Sequence, residues 1–172
     1  MGTLQFEKGS TKEQVFETVE LYLKDNGFII AETDQDRPWG GYFVIDERQA
    51  ADFIKKFFGH LTPADFTGFE KLSPKFLLVA PKQRLSWQYH HRRSEIWKVI
   101  SGTVAVAASN TDEQGEPRLL SAGRVIELEK GQRHRLIGVD EWGIVAEIWK
   151  HTDPKFPSDE DDIVRVEDDF GR

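Results

Sequence analysis

Beyond Pro74 the chain is cut into short extended stretches by turn-forming residues, and this punctuation constrains the fold more than any other feature. Ser101-Gly102, the polar run 110–116, Ala122-Gly123 and Lys130-Gly131 interrupt it at close intervals. The stretches at 75–80, 85–90, 96–101, 103–109, 118–120, 125–128, 134–138 and 142–149 read as strands. Many short strands broken by glycine turns imply a mainly β architecture, an antiparallel sandwich or barrel. Ahead of this region the pattern is mixed. Ser10-Thr11-Lys12-Glu13 reads as a capping box, and Val15, Val19, Leu21, Tyr22 and Leu23 give the next segment an apolar side. A helix is therefore expected at 11–25, stopped at Asn26-Gly27. A short strand at 28–31, a turn at 37–41 and a strand at 42–46 follow. A second helix at 48–58 is expected to bury Phe53, Ile54, Phe57 and Phe58 and to end at Gly59.

At 172 residues the chain is read as one domain. It divides into an N-terminal helix–strand extension (1–36), a helical insertion (48–72), a barrel core (75–150) and an acidic C-terminal tail (151–172) that wraps the surface or hangs free. No apolar run approaches the ~20 residues of a membrane helix, and residues 1–9 lack the pattern of a signal peptide. A cytoplasmic protein with no membrane partner is expected. The absence of cysteine removes disulfides and thiolate metal sites. A net charge of −7 argues against a general nucleic-acid binder.

Against that acidic background the run from Gln88 to Glu95 stands out: Gln-Tyr-His-His-Arg-Arg-Ser-Glu, answered downstream by His134. Alternate residues of a strand share a face, so Gln88 and His90 point the same way. Glu95 follows across a turn expected at 92–94, and His134 opens another strand. A barrel can bring Gln88, His90, Glu95 and His134 together. Two imidazoles, a carboxylate and an amide oxygen suit one divalent metal, with positions left open to substrate.

These residues resemble the cupin superfamily, small double-stranded β-helix (jelly-roll) barrels with two metal-binding motifs. The spacing matches through Gln88-x-His90, Glu95 and Gly102, then Gly123, Gly131 and His134, while Lys82, Gln88, Glu129 and Gly138 depart from the usual letters. The specific pattern resembles the C-terminal phosphomannose isomerase (type II) domain of bifunctional mannose-6-phosphate isomerase/mannose-1-phosphate guanylyltransferases. It is carried by Arg84-Leu85-Ser86, Gln88, His90-His91, Arg93, Glu95, Trp97, Ser101-Gly102-Thr103, Gly131, His134-Arg135-Leu136, Glu147 and Glu160-Asp161-Asp162-Ile163-Val164-Arg165. Arg92 stands where the family commonly has a third consecutive histidine, and no Gly-rich nucleotidyltransferase signature is present.

The resemblance implies a cupin with an N-terminal helical extension and one bound ion, zinc by preference, with manganese, nickel or iron as alternatives. It implies an aldose–ketose isomerase acting on a small sugar or sugar phosphate, and a homodimer. Catalytic roles fall on Glu147 as base, with Arg93 and His91. Arg84, Arg135 and Trp97 are the expected substrate contacts, arginine being suited to bidentate phosphate binding. An extra guanidinium at Arg92 suggests an altered sugar preference. Competing readings are an isomerase of a pentose or heptose, phosphorylated or not, an iron dioxygenase, or a sugar-binding cupin without catalysis.

Overall fold

A computed structural model describes residues 3–66 and 71–171, and expectations that fall on 1–2, 67–70 and 172 lie outside the described residues. Helix α1 (Lys12–Asp25) begins at Thr11, whose side chain accepts from the Gln14 amide while Gln14 reaches back to the Thr11 amide. The capping box is thus one residue later than the sequence motif suggested. Val15, Phe16, Val19 and Leu23 form its buried stripe, and Leu21 faces outward. Strands β1 (Ile30–Arg37) and β2 (Gly40–Ile45) make a hairpin about Pro38-Trp39. The first strand is longer than expected because its outer, charged half is held by pairing rather than by apolar content. A short 3-10 turn at Glu47–Gln49 leads into α2 (Ala50–Phe57).

A second 3-10 turn at Pro63–Phe66 follows, and then the strands β3 (Lys75–Val79), β4 (Trp87–Tyr89), β5 (Arg93–Ser101), β6 (Thr103–Ser109), β7 (Arg118–Ser121), β8 (Val125–Leu128), β9 (Arg133–Gly138), β10 (Gly143–His151) and β11 (Val164–Glu167). They form a six-stranded sheet ordered β1-β2-β3-β10-β5-β8 and a five-stranded sheet ordered β11-β4-β9-β6-β7, with antiparallel pairing throughout. Strand β5 starts at Arg93, so the turn before Glu95 is tighter than expected and Glu95 lies within the strand. Gly102 (φ 77°) swings β5 into β6, and a Cβ there would sit 2.5 Å from the Trp142 carbonyl oxygen.

The central strands of the six-stranded sheet are buried on both faces, and the two-residue period sorts their side chains into separate cores. Phe76, Leu78, Ile96, Ile144, Ala146 and Ile148 face the helices and join Phe16, Phe53 and Phe57. The Phe53 ring meets those of Phe57 and Phe76 at 4.9 and 5.9 Å. Leu77, Val79, Trp97, Val99 and Val145 face the other way, into the barrel, where Val104, Val106 and Leu136 of the second sheet meet them. The residues of α2 are therefore part of the main packing layer. The acidic tail is neither loose nor merely draped: β11 adds an edge strand to the second sheet by pairing Val164 with Tyr89 and Arg165 with Gln88. Ser158 and Asp162, just before it, are buried.

Candidate metal centre

Among the described residues, a buried polar cluster forms in the barrel interior. His90 leaves the end of β4, Glu95 lies on the inner face of β5, and His134 begins β9 opposite Gln88. All three potential ligands are nearly fully buried, and their ligand atoms lie within 4.8 Å of one another. His90 Nε2 is 3.0 Å from Glu95 Oε1, and His134 Nε2 is 3.5 Å from Glu95 Oε2. Backbone carbonyls set both rings: His90 Nδ1 donates to Asp162 O at 2.6 Å, and His134 Nδ1 to Gln132 O at 3.0 Å. In the neutral ring each of these contacts selects the tautomer whose Nε2 lone pair points inward, the arrangement a ligating histidine needs. His134 Nε2 is buried without a hydrogen-bond partner. An orphaned acceptor beside a carboxylate and a second imidazole is costly unless something cationic completes it. The donor set fits a divalent metal on that ground.

Arg93 braces the cluster from the side. Its Nε and Nη2 donate to Glu95 Oε1 at 3.1 and 2.9 Å, and its Nη1 donates to Ser158 Oγ and Asp159 O at 3.0 and 2.9 Å. The guanidinium lies 3.8 Å from the Trp149 ring centroid. Burial alone would raise the Glu95 carboxyl, but the neighbouring His90 and Arg93 hold it well below the ordinary carboxylate range. Glu147 behaves oppositely. It is buried on β10, accepts a 2.9 Å bond from Trp149 Nε1, and is pushed up to about 7 by burial and then by the Glu95 charge, against the pull of Lys75 and Arg93. Two carboxyls of opposite tendency thus share one wall, since Glu147 pairs with Trp97 and Glu95 with Trp149 across β10 and β5. They open onto a cavity of about 620 Å³, with Gln88, Arg93, Trp97 and Lys75 also in its wall.

A family model described as Mannose-6-phosphate isomerase C-terminal matches residues 59–168. The chain belongs to that family. The mannose-1-phosphate guanylyltransferase ManC of Salmonella typhimurium is 30% identical over 79% of this chain, and the xanthan biosynthesis protein XanB of Xanthomonas campestris is 31% identical over the same share. The chain spans only 22% and 23% of those two proteins. Among solved structures, the capsular polysaccharide assembling protein CapF of Staphylococcus aureus superposes with a TM-score of 0.51 over 90% of this chain and 38% of its own, at 17% identity. An oxalate oxidase superposes with a TM-score of 0.50 over 77% of this chain and 58% of its own, at 18% identity. The fold shared with these two structures is a mainly β barrel of two antiparallel sheets, here with a short N-terminal helix. No helix among the described residues is long and apolar enough to cross a membrane.

Of the residues the family resemblance singled out, the structure brings His90, Glu95 and His134 together and sets Gln88 beside them on the cavity wall. Gln88 Oε1 is engaged by the Ser86 hydroxyl. Glu147, Arg93 and Trp97 also line the cavity. Three others lie elsewhere. His91 is exposed and packs edge-on against Tyr89 at 5.3 Å. Arg84 is clamped by Asp169 at 2.6 and 2.8 Å and by Glu167 at 3.3 Å. Arg135 is buried under the C-terminal strand, donating to Gln114 Oε1 and Glu167 O, and burial followed by the Arg84 charge lowers its pKa. Arg135 adjoins the inward His134 on β9 and so points outward, whereas His91 lies in the bend between β4 and β5. Arg92 likewise serves the tail, donating to Pro157 O at 2.6 Å and Asp159 Oδ1 at 3.1 Å.

Residues not anticipated do the positioning. The Asp162 carboxylate accepts from the His91 and Arg92 amides at 2.8 and 2.9 Å and from Ser158 Oγ at 2.6 Å, while its carbonyl orients His90. Asp162 stands among four consecutive acids, 159–162, in a tail expected to wrap the surface or hang free. The run's match to the family pattern was the one signal that it mattered.

Proposed function

We propose that this protein is a metal-dependent aldose–ketose isomerase acting on a sugar phosphate, of the mannose-6-phosphate isomerase kind. The observation that carries the reading is the pairing of a preset His90–Glu95–His134 cluster with Glu147, a buried carboxyl raised to about 7, on one cavity wall. The ligands would be His90, Glu95 and His134 with Gln88, and zinc is the ion best suited to this donor set. Such an ion, when bound, polarises the oxygens of the reacting carbonyl and hydroxyl.

The remaining work belongs to the side chains. An aldose becomes a ketose when a proton leaves one carbon and is returned to its neighbour, with a second proton moving between the two oxygens. A carboxyl with a pKa near neutrality holds appreciable amounts of both forms at working pH, as a group that takes and returns the same proton requires. Glu147 supplies it, and the Trp149 N–H fixes which oxygen is free. Arg93 holds Glu95 ionised and places a positive charge beside the negative charge that develops on the substrate. Trp39 and Trp97 line the cavity and give it an aromatic wall for the sugar.

The guanylyltransferase names of the relatives describe proteins more than four times as long as the portion matched here, so nucleotidyl transfer is not part of the proposal. The test is incorporation of solvent deuterium into mannose 6-phosphate and fructose 6-phosphate by the zinc-loaded protein. Exchange at the carbon next to the carbonyl, with interconversion of the two sugars, is expected. A metal-replete protein that exchanges no proton in any of a panel of aldose phosphates refutes the isomerase reading.

A further inference from the structure

Most cations near the site are already committed. Arg93 is held by Glu95, Ser158 and Asp159, Arg92 by Pro157 and Asp159, and Arg84 by Asp169. Lys75 and Lys71 are held differently. Lys75 begins β3 on the inner face directly across from Glu147, its side chain only 11% exposed. Its ammonium lies 5.1 Å from the Trp149 ring centroid and 5.8 Å from that of Tyr42, so two aromatic faces flank it. Lys71 reaches the same indole at 5.4 Å. Both ammonium groups face one carboxylate, Glu160, at 3.7 and 3.9 Å, longer than a hydrogen bond. All four residues, Lys71, Lys75, Tyr42 and Glu160, line the 620 Å³ cavity.

We propose that Lys75 and Lys71 are the anion-binding end of this cavity, where the phosphoryl group of the substrate takes the place now held by the Glu160 carboxylate. The assignment rests on the sugar-phosphate reading above and names the residues that read the phosphate. Charge favours the exchange: two ammonium groups face one carboxylate, and a phosphate dianion balances both. The exchange is also easy, because Glu160 is 62% exposed and a solvated contact of that length is weak. Leaving Glu160 in place would cost an incoming dianion a like-charge clash, so its carboxylate must turn outward to water. Lys75 is the cross-strand neighbour of Glu147, so the anion site and that carboxyl belong to one continuous cavity.

The experiment is a calorimetric titration of the zinc-loaded protein with inorganic phosphate, mannose 6-phosphate and mannose. Wild type is compared with Lys75→Met, Lys71→Met and Glu160→Gln. Loss of either lysine is expected to weaken both phosphate and mannose 6-phosphate about 10- to 100-fold, the range of a charge-assisted contact, and to leave mannose unchanged. Glu160→Gln is expected to tighten both phosphorylated ligands several-fold. Wild-type protein that binds no phosphate, or lysine variants that bind it as well as wild type, overturns the proposal. If Lys75→Met does not fold, the half-exposed Lys71 decides. Lysine-dependent phosphate binding without proton exchange on any sugar phosphate leaves the anion site standing and removes the isomerase reading.

Discussion

Replacing Glu147 with glutamine separates what the carboxyl does for chemistry from what it costs the fold. The glutamine is nearly isosteric, and its Oε1 can still accept the Trp149 N–H. Its amide cannot take up and return a proton, so exchange should fall by ~10²–10⁴-fold, the contribution usual for a positioned acid–base group. Stability should move the other way. The folded carboxyl titrates at about 7 against an ordinary 4.5, and each pKa unit is worth about 1.4 kcal/mol. Below 4.5 the group is neutral in both states and costs nothing. As pH rises toward 7 the unfolded chain releases the proton while the folded one retains it, so wild-type stability declines through that window and levels off above it. In the metal-free protein the glutamine variant should therefore match wild type near pH 4 and exceed it by about 3 kcal/mol at pH 8. Urea unfolding of chelator-treated protein across that range measures the difference. A gap that stays flat with pH would falsify the claim that burial and Glu95 raise this carboxyl. A pH-dependent gap without loss of exchange would leave the electrostatics intact and remove Glu147 as the base.

Three further outcomes follow from the geometry. Asp162→Asn keeps the carbonyl that orients His90 but weakens the carboxylate bonds to the His91 and Arg92 amides; a stability loss of about 1–3 kcal/mol with at least tenfold weaker zinc binding is expected by cobalt-substituted absorption titration, and unchanged metal affinity refutes a positioning role. Burial would raise the Asp162 carboxyl, but its bonds from Ser158, His91 and Arg92 hold it below 3.8, so its contribution should be intact above that value and fade as pH falls further. His134→Ala should abolish stoichiometric zinc uptake measured by elemental analysis, because a single imidazole and one carboxylate then remain with only the weakly donating Gln88 amide; full occupancy would remove His134 as a ligand. Phe53→Ala, in the cluster under α2, should cost about 3–5 kcal/mol in chemical denaturation, and a loss under 1 kcal/mol would mean that the helical layer packs more loosely than its ring contacts indicate.

How far the sequence reached depends on the range of the interaction in question. Turn residues such as Ser101-Gly102 and Lys130-Gly131 act over a few positions, so the strand succession after Pro74 was legible directly. The helix at 12–25 was equally so, because its cap and apolar stripe are local. His90, Glu95 and His134 could be grouped because metal ligation leaves a residue-type signature and the spacing resembles a known family. The two-residue period could also have excluded Arg135 from the interior, since it adjoins a histidine already assigned inward. Beyond that, tertiary structure decided. Only the pairing of β11 with β4 turns an acidic tail into the support of His90 and Arg93. Only the register of β3 against β10 sets Lys75 opposite Glu147. The elevated Glu147 carboxyl depends on burial and on Glu95 of the neighbouring strand, neither of which a linear chain displays. Local propensity and side-chain type are properties of the chain itself, whereas desolvation and long-range charge exist only once distant strands meet.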